Sequence, residues 1–468
     1  MARRCTTHVP PALRGRERRW QHHLRGAPSS TTFGSWPGWA ISTLALFMLS
    51  IDPNARAQSF TPPALPRIPN QTFNVENYGA IGDGVATNTE SIQAAINAAG
   101  AAGGGIVHIP AGTFLCGPIQ LASQVNLHLD AGALLRMLPL AKYPRGTEDP
   151  QSFITGQHLH DVAISGSGAI DGQGAPWWPY ARVEGALRPR MIALQSCERL
   201  LIEDVTLSNS PMFHIALGGT CSDVTVRRLT IRAPASEDPV CPSHNTDACD
   251  VTGHRVLIED CDVSVGDDNF TCGGGTSDVL ITNCTYGFGH GVSIGSHTAG
   301  GISNLTVAHC TFNGTDAGIR IKSDRDRGGF VHDLCYQDLH MTNVGCPILI
   351  YAAYMAHERQ YRNLNGLTPD VAASYPAAPV AARTPIYRNI TFSNITATTK
   401  PGNRAGLIWG LPEMPVSNVL LENVTITADK PFGIFNARGV RLVNCKITTS
   451  GDINPIATAN AAVAGTPQ

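Results

Sequence analysis

An eight-residue, strand-like unit recurs along this chain at residues 200–207, 224–231, 256–263, 279–286 and 305–312, with later copies opening at Leu334, Ile390, Val419 and Val440. Adjacent copies start 21 to 32 residues apart, with one longer gap of 56. Each copy alternates apolar and polar residues and then turns through Asn, Gly or Asp, which is the pattern of a strand with one buried face. A unit that cannot bury its own face, repeated without helices between copies, must stack on its neighbours. The Leu/Asn signature of leucine-rich repeats is missing. The expected fold is therefore all-β: a single-stranded right-handed parallel β-helix, a solenoid whose coils lie roughly 4.8 Å apart, the ordinary strand spacing. Equivalent side chains of successive coils then stack in ladders.

A solenoid needs covered ends. Thr87-Asn88-Thr89-Glu90 reads as a capping box opening a short N-terminal helix, whose Ile92, Ala95, Ile96 and Ala99 form one apolar stripe. The cap is expected over about residues 72–105, with Gly103-Gly104-Gly105 as a turn into the strand that follows. Residues 1–57 read as a leader: arginines 14, 16, 18, 19 and 25 precede an apolar run over 39–51, and Ala55-Arg56-Ala57 offers a cleavage pattern before Gln58. The run is too short to span a bilayer, so the chain is expected to be secreted. The catalytic β-helix is expected over 58–452, and the Ala-rich, low-complexity tail at 453–468 is expected to be loosely held. Residues 355–386, with Pro369, Pro376, Pro379 and Pro385, interrupt the repeat; a loop of that length is expected to overhang the functional cleft, where it could close one end.

The chain has 468 residues, 43% hydrophobic and 15% charged, with 47 glycines and a formal net charge of −2. That balance gives no overall field to recruit nucleic acid or a membrane surface, so attraction for an acidic ligand must be local. Of its 13 cysteines, Cys261, Cys284, Cys310 and Cys445 fall at the repeat position that holds Val205, Leu229 and Val424 elsewhere, an inward slot for a small hydrophobe. Cys241 and Cys249 are the pair best placed for a disulfide. No Cys/His spacing suits zinc, so no metal or other cofactor is expected. The Asn-x-Thr sequences at Asn269, Asn283, Asn304, Asn313, Asn389, Asn394 and Asn423 read as turn asparagines beside strand threonines.

Four short segments lie 20 to 30 residues apart within the repeat: Asn245-Thr246-Asp247, Gly266-Asp267-Asp268, Gly289-His290-Gly291 and Arg320-Ile321-Lys322. One interval is one coil, so they should stack on one face. Strand alternation would put Asn245 with Asp247 and Arg320 with Lys322, and Gly266 would let both following aspartates bend to the same side. Three carboxylates, a histidine and two cations then converge. Carboxylates on adjacent coils fit general acid and base chemistry at a glycosidic bond, in either of its two geometries. Their repulsion should leave at least one protonated, and Arg320 and Lys322 suit a substrate carboxylate. Taken singly, an Asp-Asp turn, a glycine-flanked histidine or an Arg-x-Lys strand is ordinarily structural; the phase they share is what points to a site.

These segments resemble, in order and spacing, the signature of glycoside hydrolase family 28, the polygalacturonases. The likeness extends to residues 73–84, to 168–174 with Trp177-Trp178, and to 209–214, and so covers roughly 72–450. It implies an inverting, single-displacement hydrolysis of α-1,4-galacturonosyl links in pectic polysaccharide, with a monomeric enzyme. By the same resemblance Asp267 would be the general acid, Asp247 and Asp268 would activate water, and His290 would support the acid. Arg320 and Lys322 would hold the galacturonate carboxylate, with Asn245 and Tyr354 lining the site. Ala248 and Asn269 depart from the usual residues of the pattern without removing a chemical group. Rhamnogalacturonan or xylogalacturonan is the alternative substrate; a Ca²⁺-dependent pectate lyase and a non-catalytic polysaccharide-binding protein are the other readings.

Overall fold

A computed structural model describes residues 60–144, 150–451 and 453–467; the leader read at 1–57 lies outside them. The described residues form a right-handed parallel β-helix whose 32 strands belong to one continuous sheet. The sequence repeat is its register. Leu200 pairs with Val224, and the ladder continues through Val256, Val279, Leu305, Leu334, Ile390, Val419 and Val440. All nine are buried, so the phase that burial imposes on each strand fixes the pairing of the next. The 56-residue gap leaves this register intact, because Phe330–Val344 pairs directly with Ile386–Thr399. The inserted chain leaves after strand Cys346–Tyr351 and carries two short helices, Arg359–Arg362 and Pro369–Ala373.

Stacking governs the interior and the bends alike. Inside, Cys261, Cys284, Cys310 and Cys445 are buried thiols, and Tyr336 stacks on Phe392 with ring centroids 5.0 Å apart. At one bend Asn394, Asn423 and Asn444 all adopt left-handed φ, between 49° and 54°. Each donates its amide to the residue one coil below: Asn444 to Asn423 (2.7 Å), Asn423 to Asn394 (3.0 Å) and Asn394 to Asp338 (2.9 Å). Asparagine tolerates that backbone and satisfies its neighbour. Asn283, Asn304 and Asn389 bend the same way, which accounts for most of the Asn-x-Thr sequences.

Three expectations need correction. The helix Thr89–Ala101 buries Ile92, Ala95, Ile96 and Ala99 as read, but its N-cap is Asn88 and no side chain caps it. Asn88 is spent on the preceding loop, accepting from Ile81 N (2.6 Å) and donating to Ala86 O (2.9 Å), so no capping box forms at Thr87. Cys249 is a free, buried thiol, so the 241–249 bridge does not form. The tail is not loose: Ile456–Ala464 is a strand pairing in parallel with Lys430–Val443. Ala457, Ala459, Ala461 and Val463 pack on the core with the period of a strand. The last coil would otherwise present an open edge, and this strand covers it.

Candidate active site

The site sits where the chain bends between strands on the coils built from residues 245–322. Parallel backbone rungs bring its segments together: Ala248 N bonds Asp268 O (2.9 Å), and His290 N bonds Asp267 O (2.8 Å). Asn245-Thr246-Asp247 is a turn, with Asn245 in the left-handed region at φ 57°, so strand alternation is not what orients it. Thr246 is fully buried. Its hydroxyl accepts from Gly266 N (2.9 Å) and donates to Ser243 O (2.8 Å), pinning the first acidic segment to the second. Gly266 is required by that closeness and not by an unusual φ: a Cβ there would lie 2.1 Å from the Ser243 carbonyl oxygen. Asp267 and Asp268 both face the site because they occupy a bend. Arg320 and Lys322 lie in strand Ala317–Lys322 and alternate with buried Ile321 as expected.

The carboxylates have unequal surroundings. Asp268, nearly buried, accepts from Ser293 Oγ (2.7 Å), from the Arg320 guanidinium and from Lys322 Nζ (3.0 Å). Burial pushes its carboxyl up, but Arg320, Lys322 and His290 outweigh that and hold it well below the ordinary range. Asp267 meets His290 Nδ1 at 2.9 Å and accepts from Asn245 N at 3.2 Å. Burial again works upward, and the hydrogen bond and charge of His290 carry the net shift downward. Asp247 has no such help: its Oδ1 is buried without a hydrogen-bond partner. Burial, then the charges of Asp267 and Asp268, drive it well above the usual value. Of the three carboxyls, Asp247 is the one whose proton affinity is raised, while those of Asp267 and Asp268 are lowered.

All eight residues singled out from sequence come to this one place. Lys322 lies over the Tyr354 ring, Nζ to centroid 5.5 Å, and Tyr354 is tied to the same coil through Ser323 O (3.0 Å). Asn269, the unusual residue after the acidic pair, accepts from Gly291 N (2.8 Å) and donates to Phe288 O (3.0 Å), clamping the histidine loop to the carboxylate segment. Gly291 has φ 78°, and a Cβ there would lie 2.1 Å from Ala317 O.

Other contributors carry no sequence signal of comparable strength. Ser293 bonds both Asp268 and Arg320 Nε (3.0 Å). Arg188 reaches Asn245 Oδ1 (2.9 Å) from an earlier coil. Asp316 faces His290 Nε2 at 3.4 Å and is held by Lys400 at 3.0 Å. His214 is buried, its basicity pushed down by that burial to about 4, and its Nδ1 faces the carbonyls of Thr246 and Asp247. It supports the Asp247 turn as a neutral ring. Asp267, Asp268 and His290 bring donor atoms within 4.8 Å of one another, yet they do not suit a divalent ion. Both oxygens of Asp268 are already engaged by fixed cations, beside which a metal would be repelled.

A parallel β-helix with three carboxylates, an imidazole and two cations on consecutive coils defines an acid–base hydrolase of the glycoside-cleaving class. Comparison with known proteins agrees: the model of glycosyl hydrolases family 28 matches residues 105–445, and the chain belongs to that family. A second model, rhamnogalacturonase A/epimerase, pectate lyase-like, matches residues 72–134, which carry none of the site. An endo-polygalacturonase of Pectobacterium carotovorum subsp. carotovorum is 30% identical over 383 residues, covering 75% of this chain and 87% of that one. An exopolygalacturonase of Zea mays is 27% identical over 373 residues, covering 76% and 84%. The crystal structure of a hyperthermoactive exopolygalacturonase from Thermotoga maritima shares the fold, with a TM-score of 0.69 at 22% identity over 85% of this chain and 94% of that one.

Proposed function

We propose that the protein is an exported polygalacturonase that hydrolyses α-1,4-galacturonosyl links of pectic polysaccharide by single displacement with inversion. The observation that carries this reading is the placement of Arg320 and Lys322, a pair fitted to a sugar carboxylate, on the same Asp268 that neighbours Asp267 and His290. Asp267 protonates the leaving oxygen, and Asp247 with Asp268 activates the attacking water. His290 supports Asp267, while Asn245 and Tyr354 line the sugar.

In the free site proton affinity is raised at Asp247 and lowered at Asp267, the reverse of what that chemistry needs, and substrate supplies the correction. A galacturonate carboxylate docking on Arg320 and Lys322 adds negative charge and excludes water beside Asp267, and both effects raise its proton affinity. A water hydrogen-bonded to Asp247 relieves the burial that kept it neutral. The cluster's proton therefore moves to Asp267 when the ligand binds, as a shared titration of coupled groups. A lyase reading fits less well, because its base would have to be Arg320 or Lys322. Asp268 engages both, and its charge raises the basicity of Arg320, stabilising the protonated form.

The test incubates purified protein with de-esterified polygalacturonate at mildly acidic pH with a chelator, following reducing ends, ultraviolet absorbance and product size. Reducing ends without absorbance are expected; monomer alone identifies exo action and mixed oligomers endo action. Calcium-dependent absorbance, or no product, would sink the proposal.

A further inference from the structure

Arg188 and Arg190 form a second cationic patch, of which Arg188 touches the acid–base site through Asn245 and Arg190 does not. Arg188 is half-buried and committed to the cleft wall: its guanidinium donates to Asn245 Oδ1 (2.9 Å), Pro211 O (3.0 Å) and His244 O (2.6 Å). Burial lowers its basicity, against the opposing pull of the Asp247 and Asp267 charges, so it lies within electrostatic reach of the reacting carboxylates. Arg190, two residues on, is exposed. It lies over the Phe213 ring at 5.6 Å, and it has no carboxylate at ion-pair distance among the described residues. Stacking on a ring fixes the plane of a guanidinium while leaving its donor edge open. Arg190 is thus an oriented, unneutralised fork, while Arg325, which lies over the Tyr375 ring, is paired with Glu413 (2.6 Å).

Register places this patch on the opposite side of the carboxylates from Arg320 and Lys322. Ala193 pairs with Ala216, Ala216 with Asp250, Asp250 with Thr271, Thr271 with Ser293, and Ser293 with Arg320. One column therefore runs from the strand just after Arg190, past the acidic coils, to Arg320. The Asp250 carboxyl midway along it feels both Arg190 and Lys322. Five rungs at strand spacing make this about 24 Å, the length of several sugar rings. Past Lys322 the path meets Tyr354 and the inserted loop, which Arg325 ties down through Glu413 and the Pro376 carbonyl (2.8 Å).

We propose that Arg190, oriented by Phe213 and backed by Arg188, is a remote subsite for the carboxylate of a second uronate unit, so that the cleft grips a polyuronate on both sides of the acidic coils. This rests on the function proposed above and adds the requirement that the ligand carry repeated carboxylates. The test uses the full chain inactivated by Asp267→Asn, with and without Arg190→Gln, titrated calorimetrically with trigalacturonate and hexagalacturonate. An exposed side chain is replaced, so an unchanged melting temperature confirms that folding is intact. A loss of about five- to tenfold in hexamer affinity is expected, the worth of one charge-assisted carboxylate contact, with a much smaller loss for the trimer and a weaker effect at high salt. Equal losses for both oligomers, or none for either, would overturn the subsite and leave the proposed function standing. Failure of the parent variant to bind either oligomer would overturn both.

Discussion

Two charged ladders in this molecule use the same stacking geometry to opposite ends. Along one bend the successive residues Asp161, Arg199, Asp223 and Arg255 alternate in sign. Arg199 grips Asp161 with two bonds of 2.7 and 2.8 Å, and Arg255 grips Asp223 at 2.8 and 2.6 Å. Backbone amides of the segment entering the fold add to them, Arg67 N to Asp161 (2.8 Å) and Ala64 N to Asp223 (3.1 Å). Both aspartates are held below their usual range, chiefly by their arginine partners. On the acidic coils Asp247, Asp267 and Asp268 repeat one sign across two adjacent coils. His290, Arg320 and Lys322 lower the proton affinity of two of them, while burial and the other two charges raise that of the third. A parallel solenoid repeats whatever residue it is given: alternating signs make a staple, and repeated signs make a proton store.

The largest effect that separates the two is catalytic. Asp267→Asn keeps the shape and the hydrogen bond from Asn245 but has no proton to give, so kcat should fall about 10³-fold or more, with binding of oligogalacturonate retained. Asp161→Asn should leave kcat and KM as they are. Steady-state kinetics of both variants on polygalacturonate make the comparison, and retained turnover in Asp267→Asn would remove that residue from the acid's role.

Asp247→Asn should cost activity and add stability. The carboxyl's folded proton affinity is raised, so its contribution to stability is full below the unfolded value of 3.8 and is lost as pH rises through the folded value. An amide carries no such penalty. The variant should therefore melt higher than the parent at neutral pH, by about 2 °C per kcal/mol recovered, and the gap should close toward pH 3. Melting curves across that range decide it; a variant that melts lower at neutral pH would show that Asp247 is not the strained member of the cluster.

The sequence exposed these contrasts unevenly, for physical reasons. Periodic burial wrote the coil register into Leu200, Val224, Val256 and their successors, and once the register was legible the four acidic and basic segments fell on one face. Seven of the eight candidate residues were readable because each sits in a short, unusual motif, and Tyr354 only through the resemblance to the family. Ser293, Arg188 and Asp316 were not, since a lone serine, arginine or aspartate on a neighbouring coil looks like any solvated residue until its partner is known. Nor could the spacing say which carboxyl keeps the proton, because that depends on Arg320 and Lys322 choosing Asp268 over Asp247. The Ala-rich tail misled because low complexity resembles disorder, while a capping strand that packs small residues at alternate positions looks the same in composition.

The smallest effect is on the staple, and its sign is what matters. Asp161→Asn removes a bidentate, partly exposed ion pair, for which about 1 kcal/mol is a fair allowance after screening by solvent. The folded proton affinity of Asp161 is lowered, so its stabilisation is present above the unfolded value of 3.8 and is lost as pH falls through the folded value. The variant should melt about 2 °C lower at neutral pH, and the deficit should fade in acid and shrink in high salt. Asp161→Asn and Asp247→Asn are the same chemical change at two stacked positions of one solenoid. Their melting temperatures should move in opposite directions at pH 7; the Asp247→Asn gap should close near pH 3, and the Asp161→Asn gap only in stronger acid, below the lowered folded value. If both moved the same way, the sign of the neighbouring coil's charge would not be what divides staple from site.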